Sequence, residues 1–450
     1  MEIRIHPISG VASDSRPVLI TPPPDKSILH RILLIGSLTQ SAIRIPISGI
    51  YSISHDVIAT VLALESLGVP VEIFDDHIEL HGVGRKGYRA PTHVINCANS
   101  GTTARLLMGV LAGQSFGSAL SGDVSLSARP MRRVATLLEA LGANVITGPE
   151  GTLPIMINGR RLHGASLSLP VASAQMKSAV LLAGLFAEGI TAVREPSQSR
   201  DHTERMLASF GYDIEIDDEI RLNPVTNPSI VDEIVYEVPG DASSAAFLVV
   251  AAILLRRRIT LLGVGLNPTR TRFLDVLAVM GVEMEAQNVL DSFGEPRGDL
   301  TVFADQIEGA LLPLELSDED IPLLIDELPI LFILAMFSEG VSEIRGAGEL
   351  RKKESDRIAV SVEQLRRFGV EVMEYEDGLS IVGILERRLQ PCTIIHDGDH
   401  RLAMAFSIAA LFCTTEVELD EAEAVCVSYP DFFEHLRALC GRKHVETIEP

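Results

Sequence analysis

The stretch Leu64-Glu65-Ser66-Leu67-Gly68-Val69-Pro70-Val71-Glu72-Ile73 ends one pattern and begins another. Up to Gly68 the leucines fall at helical spacing; after it, apolar and polar residues alternate as in a strand. Gly68 stands where a helix ends in a left-handed residue, a position that favours glycine. The same unit returns as LEALGANVIT (138–147), LASFGYDIEI (207–216), LAVMGVEMEA (277–286) and LRRFGVEVME (365–374), with a weaker copy in HLRALCGRKHVE (435–446). The glycines 68, 142, 211, 281, 369 and 441 recur at intervals of roughly seventy residues, too long for a common solenoid unit. Several copies turn back through a hairpin, as in VEIFDDHIEL (71–80) and DIEIDDEIRL (213–222).

A module of one or two helices and a few strands used six times predicts an α/β protein of two similar lobes, each of three βαβαββ-like units. Pro/Gly-bearing segments at 21–24 and 238–241 are the expected crossings. They divide the chain into residues 1–20 plus 241–450 as lobe one and 21–240 as lobe two. Two or three domains also suit 450 residues.

Composition narrows the function classes. Hydrophobic residues make up 46% and charged residues 22%, enough to fill a core. The N-terminal sixteen residues lack the layout of a signal peptide, and the longest apolar run, Ala245–Leu255, is too short to span a membrane. Cys97, Cys392, Cys413, Cys426 and Cys440 form no C-x-x-C pair, so free thiols in a reducing, cytoplasmic compartment are expected. A formal net charge of −23 disfavours nucleic acid as partner. It permits a small anionic ligand wherever bases cluster, because charges are screened over about 8 Å at physiological salt.

Bases and small hydroxyl residues do cluster, beside turns or helix starts where backbone N–H groups and cations can receive phosphate or carboxylate. Asp25 can cap a helix carrying Lys26, Ser27 and Arg31; Asn99, Ser100 and Gly101 precede an apolar helix with Arg105 one turn in. Arg129-Pro130-Met131-Arg132-Arg133 and Ser173-Ala174-Gln175-Met176-Lys177 put bases near helix starts, against the dipole. Glu349, Lys353 and Arg357 fall at i,i+4 spacing, which alone reads as a salt-bridged helix face. Gly398-Asp399-His400-Arg401 opens another apolar helix, and Asp326-Glu327 interrupts an apolar run, where a carboxylate is costly unless paired.

In order along the chain, DKSILHR (25–31), NSGTTARLLMG (99–109), GDVSLSARPM (122–131), SAQMKSA (173–179), SRDHTERML (199–207), VPGDASSAAF (238–247), DELPILFILA (326–335), KESDRI (353–358) and GDHRLAMAF (398–406) resemble the 5-enolpyruvylshikimate-3-phosphate synthase family. The resemblance implies two lobes of three folding units each, an inside-out α/β barrel architecture. It also implies transfer of the enolpyruvyl group of phosphoenolpyruvate to the 5-hydroxyl of shikimate 3-phosphate, with no metal or organic cofactor, by a monomer.

Carried over residue by residue, the resemblance puts shikimate 3-phosphate against Lys26, Ser27, Arg31, Ser173, Ala174, Gln175, Arg200, Asp326 and Lys353. Phosphoenolpyruvate falls to Lys26, Gly101, Arg129, Gln175, Arg357 and Arg401, with Asn99 and His400 nearby. Asp326 is the implied base and Glu354 the chosen acid, with Lys26 sharing proton traffic. Pro24, Leu29 and Val427 depart from the family pattern, where Gly, Ser and Lys are usual. Pro24 would reshape the loop carrying Lys26, and Val427 would remove one cationic contact. UDP-N-acetylglucosamine enolpyruvyl transferase and a non-catalytic anion-binding relative stand as alternatives.

SAQMK (173–177), RDHTE (200–204) and NPTR (267–270) look like the branch known for glyphosate tolerance, yet Gly101 retains the small residue that a tolerance-conferring member replaces with Ala. Glyphosate is therefore expected to compete with phosphoenolpyruvate. Steady-state inhibition checks this, and an inhibition constant far above the KM for phosphoenolpyruvate contradicts it.

Overall fold

In a computed structural model of the protein, residues 1–8, 17–224, 233–386 and 388–448 are described; part of the N-terminal stretch read above lies outside them. Five of the six glycine units end their helices in one way. At Gly68, Gly142, Gly211, Gly281 and Gly369, φ lies between 78° and 97°. The next residue's N–H reaches back to a leucine carbonyl: Val69 to Leu64, Ala143 to Leu138, Tyr212 to Leu207, Val282 to Leu277 and Val370 to Leu365, at 3.0–3.1 Å. This is the Schellman closure, in which the left-handed residue lets otherwise unpaired carbonyls find donors. The residue after each glycine is buried, as is its leucine partner, so an apolar contact accompanies the turn.

Past each turn the chain forms a hairpin. Val71–Ile73 pairs antiparallel with His77–His81, which pairs with Ala42–Pro46; Glu233–Val235 completes that sheet in parallel. The pattern of one parallel and two antiparallel pairings repeats in the sheet of Ile95–Asn96, Gly117–Ser121, Ile155–Asn158 and Asn144–Thr147. It repeats again in that of Ser166–Ser168, Thr191–Arg194, Ile220–Leu222 and Ile214–Ile216. The sheet of Val18–Ile20, Ile259–Gly265, Glu295–Val302 and Met284–Ser292 has the same order. In the sheet of Val341–Ile344, Gly378–Val382 and Val372–Tyr375, a single parallel bridge from Glu315 to Glu343 stands for the fourth strand.

The sixth unit explains its weak sequence signal. Val445–Ile448 follows Gly441 and finds its antiparallel neighbour far away in the sequence. The N-terminal strand Glu2–Ile5 takes that place, between Val445–Ile448 and Val417–Leu419. The module is thus closed by residues from the opposite end of the sequence.

The chain forms two compact units. Unit 1 holds Met1–Pro23, Pro239–Leu290 and Pro296–Pro450; unit 2 holds Pro24–Val238 and Asp291–Glu295. The chain changes unit between Pro23 and Pro24 and between Val238 and Pro239, a few residues from the divisions at 20/21 and 240/241 expected from sequence. The segment 291–295, assigned by sequence to lobe one, groups with unit 2. Its reason is local: Phe293 stacks on Tyr236 at 4.8 Å, Gly294 accepts from Arg205 at 2.9 Å, and Glu295 meets His202 at 2.7 Å.

Each unit has its own apolar core, built on three nearly submerged helices. These are Lys26–Ser37, Gly101–Ala112 and Ala174–Gly184 in unit 2, and Ala242–Leu255, Leu328–Ala335 and His400–Ala410 in unit 1. Among the described residues no helix is long and apolar enough to cross a membrane. Helices Gly101–Ala112 and Ala174–Gly184 pack so closely that a Cβ on Gly109 would come within 2.2 Å of the Ala179 carbonyl oxygen. Gly109→Ala is therefore expected to cost about 1–3 kcal/mol of stability, read as a lowered urea midpoint. An unchanged midpoint would show that these helices can part freely.

Candidate active site

In unit 2 the candidate residues sit at the starts of the three buried helices. Asp25 caps the first, accepting from Ser27 N at 2.7 Å and Ile28 N at 3.1 Å. Lys26 then points to Asp56 on the neighbouring helix His55–Ser66, Nζ to Oδ2 2.8 Å. Arg31 is buried and held by three acceptors: Nε donates to Thr203 Oγ1 (2.7 Å), Nη1 to Ser27 O (2.9 Å) and Nη2 to Ser178 Oγ (2.8 Å). Burial pushes its pKa down to about 10, which leaves it charged at neutral pH.

The second helix is capped by Ser100, whose Oγ accepts from Thr103 N at 3.1 Å. Asn99 stands just before this cap as a bridge, its amide donating to Asp123 (2.6 Å) while its carbonyl accepts from Arg129 Nη2 (2.7 Å). Gly101 opens the helix beneath two guanidinium groups. A Cβ there would meet Arg105 Nη1 at 2.9 Å and Arg129 Nη1 at 3.3 Å. Arg105 Nη1 donates to Gln175 Oε1 (2.6 Å), and Gln175 Nε2 donates to Thr102 Oγ1 (2.9 Å), linking the second helix start to the third. Ser173 caps that third helix through Met176 N at 3.4 Å, with Ala174 its first residue. Arg200 is half-buried in the segment before helix His202–Ser209. Lys177 lies near a helix start, as the sequence suggested, and its side chain is buried against Glu195 and Glu204.

Unit 1 gathers the other set. Asp326 lies between helices Ile321–Leu324 and Leu328–Ala335, with three cations around its carboxylate. Arg357 Nη1 is 3.5 Å away, Arg401 Nη2 3.6 Å and Lys353 Nζ 3.8 Å, and Arg401 Nη1 also donates to the Asp326 carbonyl at 2.9 Å. Arg357, 1% exposed, donates to Asp399 through Nε (2.7 Å) and to Glu354 through Nη2 (2.7 Å). Burial alone would lower its pKa, but Asp399, Glu354 and Asp326 outweigh burial and hold it above the ordinary guanidinium value. Asp399 also caps helix His400–Ala410 through Arg401 N (2.9 Å), and His400 is buried at the start of that helix.

The helix-face reading of 349–357 fails. A 3-10 turn covers Gly348–Lys352, Lys353 is extended, and the α-helix starts at Arg357 with Asp356 as its cap. Glu349 pairs with Lys352 at 3.3 Å, while Lys353 and Arg357 go to Asp326. Glu327, the second carboxylate of its pair, is buried and accepts from Ser243 Oγ. Sequence reading missed Asp56, Asp123 and Thr203, whose partners Lys26, Asn99 and Arg31 lie far away in sequence. Among the described residues no group of three His, Cys, Asp or Glu side chains could hold a metal ion, and all five cysteines are free.

Behind the unit 2 helix starts runs a buried chain of hydroxyls. His30 Nδ1 meets Thr60 Oγ1 at 2.7 Å, Thr60 meets Thr103 at 2.7 Å, and Thr103 donates to the capping Ser100 at 2.7 Å. Burial lowers the His30 pKa from 6.5 to about 3, so the ring is neutral in the folded protein. The unfolded chain then takes up the proton first as pH falls. This contribution to stability is present above 6.5 and is lost as pH drops toward 3. His30→Gln should flatten that part of the stability–pH curve, measured by urea unfolding at several pH values. An unchanged slope would assign the acid sensitivity elsewhere.

Residues 18–436 match the family model for EPSP synthase (3-phosphoshikimate 1-carboxyvinyltransferase). The chain is 45% identical over 421 residues to the 3-phosphoshikimate 1-carboxyvinyltransferase of Limosilactobacillus fermentum, covering 93% of this chain and 95% of that protein. It is 44% identical over 428 residues to that of Thermotoga neapolitana, covering 93% and 96%. A solved EPSP synthase from Acinetobacter baumannii superposes with a TM-score of 0.83 at 37% identity, with both chains fully covered. The enolpyruvyl transferase NikO of Streptomyces tendae shares the fold at a TM-score of 0.74 and 17% identity, covering 100% of this chain and 99% of that one.

Proposed function

The chain belongs to the EPSP synthase family, and on that premise we propose how its own residues carry the 3-phosphoshikimate 1-carboxyvinyltransferase reaction. The enzyme transfers the enolpyruvyl group of phosphoenolpyruvate to the 5-hydroxyl of shikimate 3-phosphate and releases phosphate. The observation that carries the residue assignment is the convergence of Lys353, Arg357 and Arg401 on Asp326. Asp326, Glu354 and Asp399 balance these cations in the free protein, and an arriving anion takes the place of carboxylate partners; a charge pair at 4 Å contributes about 4 kcal/mol at an effective dielectric of 20.

Lys26, Ser27, Arg31, Ser173, Ala174, Gln175 and Arg200 bind shikimate 3-phosphate, with Asp326 and Lys353. Lys26, Gly101, Arg129, Gln175, Arg357 and Arg401 bind phosphoenolpyruvate, beside Asn99 and His400. Asp326 takes the proton of the 5-hydroxyl as its oxygen bonds to the central carbon of phosphoenolpyruvate. Glu354 delivers a proton to the methylene carbon, which becomes a methyl group in a tetrahedral intermediate. Glu354 then recovers that proton while the bond to the phosphate oxygen breaks. Because Glu354 accepts a charge-assisted bond from Arg357 in the free protein, Arg357 must turn to a substrate anion before Glu354 can act as acid. Lys26, released from Asp56, shares the proton traffic. The five free cysteines support a reducing compartment, and we place the enzyme in the cytoplasm as a monomer.

Phosphate release from the purified protein should require both shikimate 3-phosphate and phosphoenolpyruvate, with neither sufficing alone. Asp326→Asn should lower kcat by about 10²–10⁴. Release without shikimate 3-phosphate would contradict the transfer, and an Asp326→Asn enzyme of undiminished kcat would remove Asp326 as base.

A further inference from the structure

Unit 2 contains a buried ion triad beside the residues given roles above. Lys177, on the first turn of helix Ala174–Gly184, is 1% exposed. Its Nζ lies 2.9 Å from Glu195 Oε1 and 2.6 Å from Glu204 Oε1, and donates to the Ser199 carbonyl at 3.4 Å. Glu195 in turn accepts from Ser199 N (3.1 Å) and from Ser199 Oγ (2.6 and 3.0 Å). The peptide N–H, carbonyl and hydroxyl of Ser199 are therefore all fixed by two side chains that are themselves paired. Arg200 comes next. On its far side Asp201 accepts from Arg205 Nε at 2.8 Å, so both chain neighbours of Arg200 are held.

A second rung lies one residue along each helix. Ser178 follows Lys177, and Thr203 precedes Glu204; the two hydroxyls meet at 2.6 Å, and both accept from Arg31. The same pair of helix segments thus aims Arg31 and Arg200. Burial works against the Lys177 charge, but Glu204 and Glu195 outweigh it and keep the ammonium charged. A buried ion pair is no more stabilising than well-packed apolar side chains of the same volume. What it adds is direction, since both Glu195 oxygens and Glu204 Oε1 have fixed donors.

We propose that Lys177 is a positioning residue for shikimate 3-phosphate: through Glu195 and Ser199 it fixes the turn that presents Arg200, and through Glu204 it keeps the Thr203–Ser178 pair set against Arg31. Arg129, assigned to phosphoenolpyruvate alone, hangs on a different network, Arg129–Asn99–Asp123, which Lys177 does not enter. The inference rests on the transferase reading, and its signature is a split between the two substrates.

Lys177→Met leaves Glu195 and Glu204 without their cation, so two further variants accompany it. Lys177→Met/Glu204→Gln restores the charge balance, and Ser199→Ala removes the hydroxyl bonds while keeping all three charges. Each is checked for its unfolding transition, then titrated with shikimate 3-phosphate by calorimetry. KM for phosphoenolpyruvate is measured at saturating shikimate 3-phosphate. Loss of one charge-assisted bond corresponds to about tenfold in affinity. The folded variants should bind shikimate 3-phosphate about tenfold more weakly, Ser199→Ala less so, while KM for phosphoenolpyruvate moves by less than about threefold. Equal loss for both substrates, or none for either, in folded variants overturns the proposal alone. A wild-type protein that binds no shikimate 3-phosphate removes the transferase reading and this proposal with it.

Discussion

The left-handed glycine that ends a helix in five of the six modules is the constraint on which the rest depends. A residue with a Cβ held there would cost about 1–2 kcal/mol, and glycine avoids that cost while letting the next N–H reach back to the leucine carbonyl. The turn therefore sets where the outer helix stops and in which register its hairpin starts. That register decides which strand face is apolar and so which side covers the buried helix. Because the event is repeated, the buried helices of a unit begin at corresponding points of their modules. Lys26, Gly101 and Ala174 stand at such points in unit 2, and His400 does in unit 1.

Those helix starts work against ordinary charge preferences. A helix N-terminus carries about half a positive charge, yet Lys26 is the first residue of one helix and Arg401 the second of another. Each conflict is relieved by a nearby acid: Asp25 and Asp56 for Lys26, Asp399 and Asp326 for Arg401. The acids that relieve the charge in the free protein can be outcompeted by a ligand bearing two or three charges. This is how a chain with a net charge of −23 can bind anions: its excess acid is screened over distance, while the cations are gathered at a few helix starts.

Local rules made much of this legible and stopped where partners are remote in sequence. The glycine turns, the Asp25 cap and the cationic clusters are written within a few consecutive residues, where periodicity and capping chemistry apply. The i,i+4 spacing of Glu349, Lys353 and Arg357 misled because Asp326, some thirty residues upstream, draws Lys353 and Arg357 away and the helix begins only at Arg357. Nothing near Gly441 announces that its hairpin partner is Glu2–Ile5. Lys177 read as one more base at a helix start, because the two glutamates that bury it lie 18 and 27 residues further on.

The departures from the family pattern can be weighed in the same terms. Pro24 precedes the capping residue, where the helix asks for no N–H, and Asp25 takes both Ser27 N and Ile28 N. Leu29 is buried in the unit 2 core, so its side chain contributes apolar packing on the side of the helix away from solvent. Val427 ends the 3-10 turn Ala422–Val427, and its side chain offers no charge to an anion. The cations that remain in unit 1, Lys353, Arg357 and Arg401, are matched in number by Asp326, Glu354 and Asp399 in the free protein. Val427 adds no charge to that balance, where a lysine would add one cation.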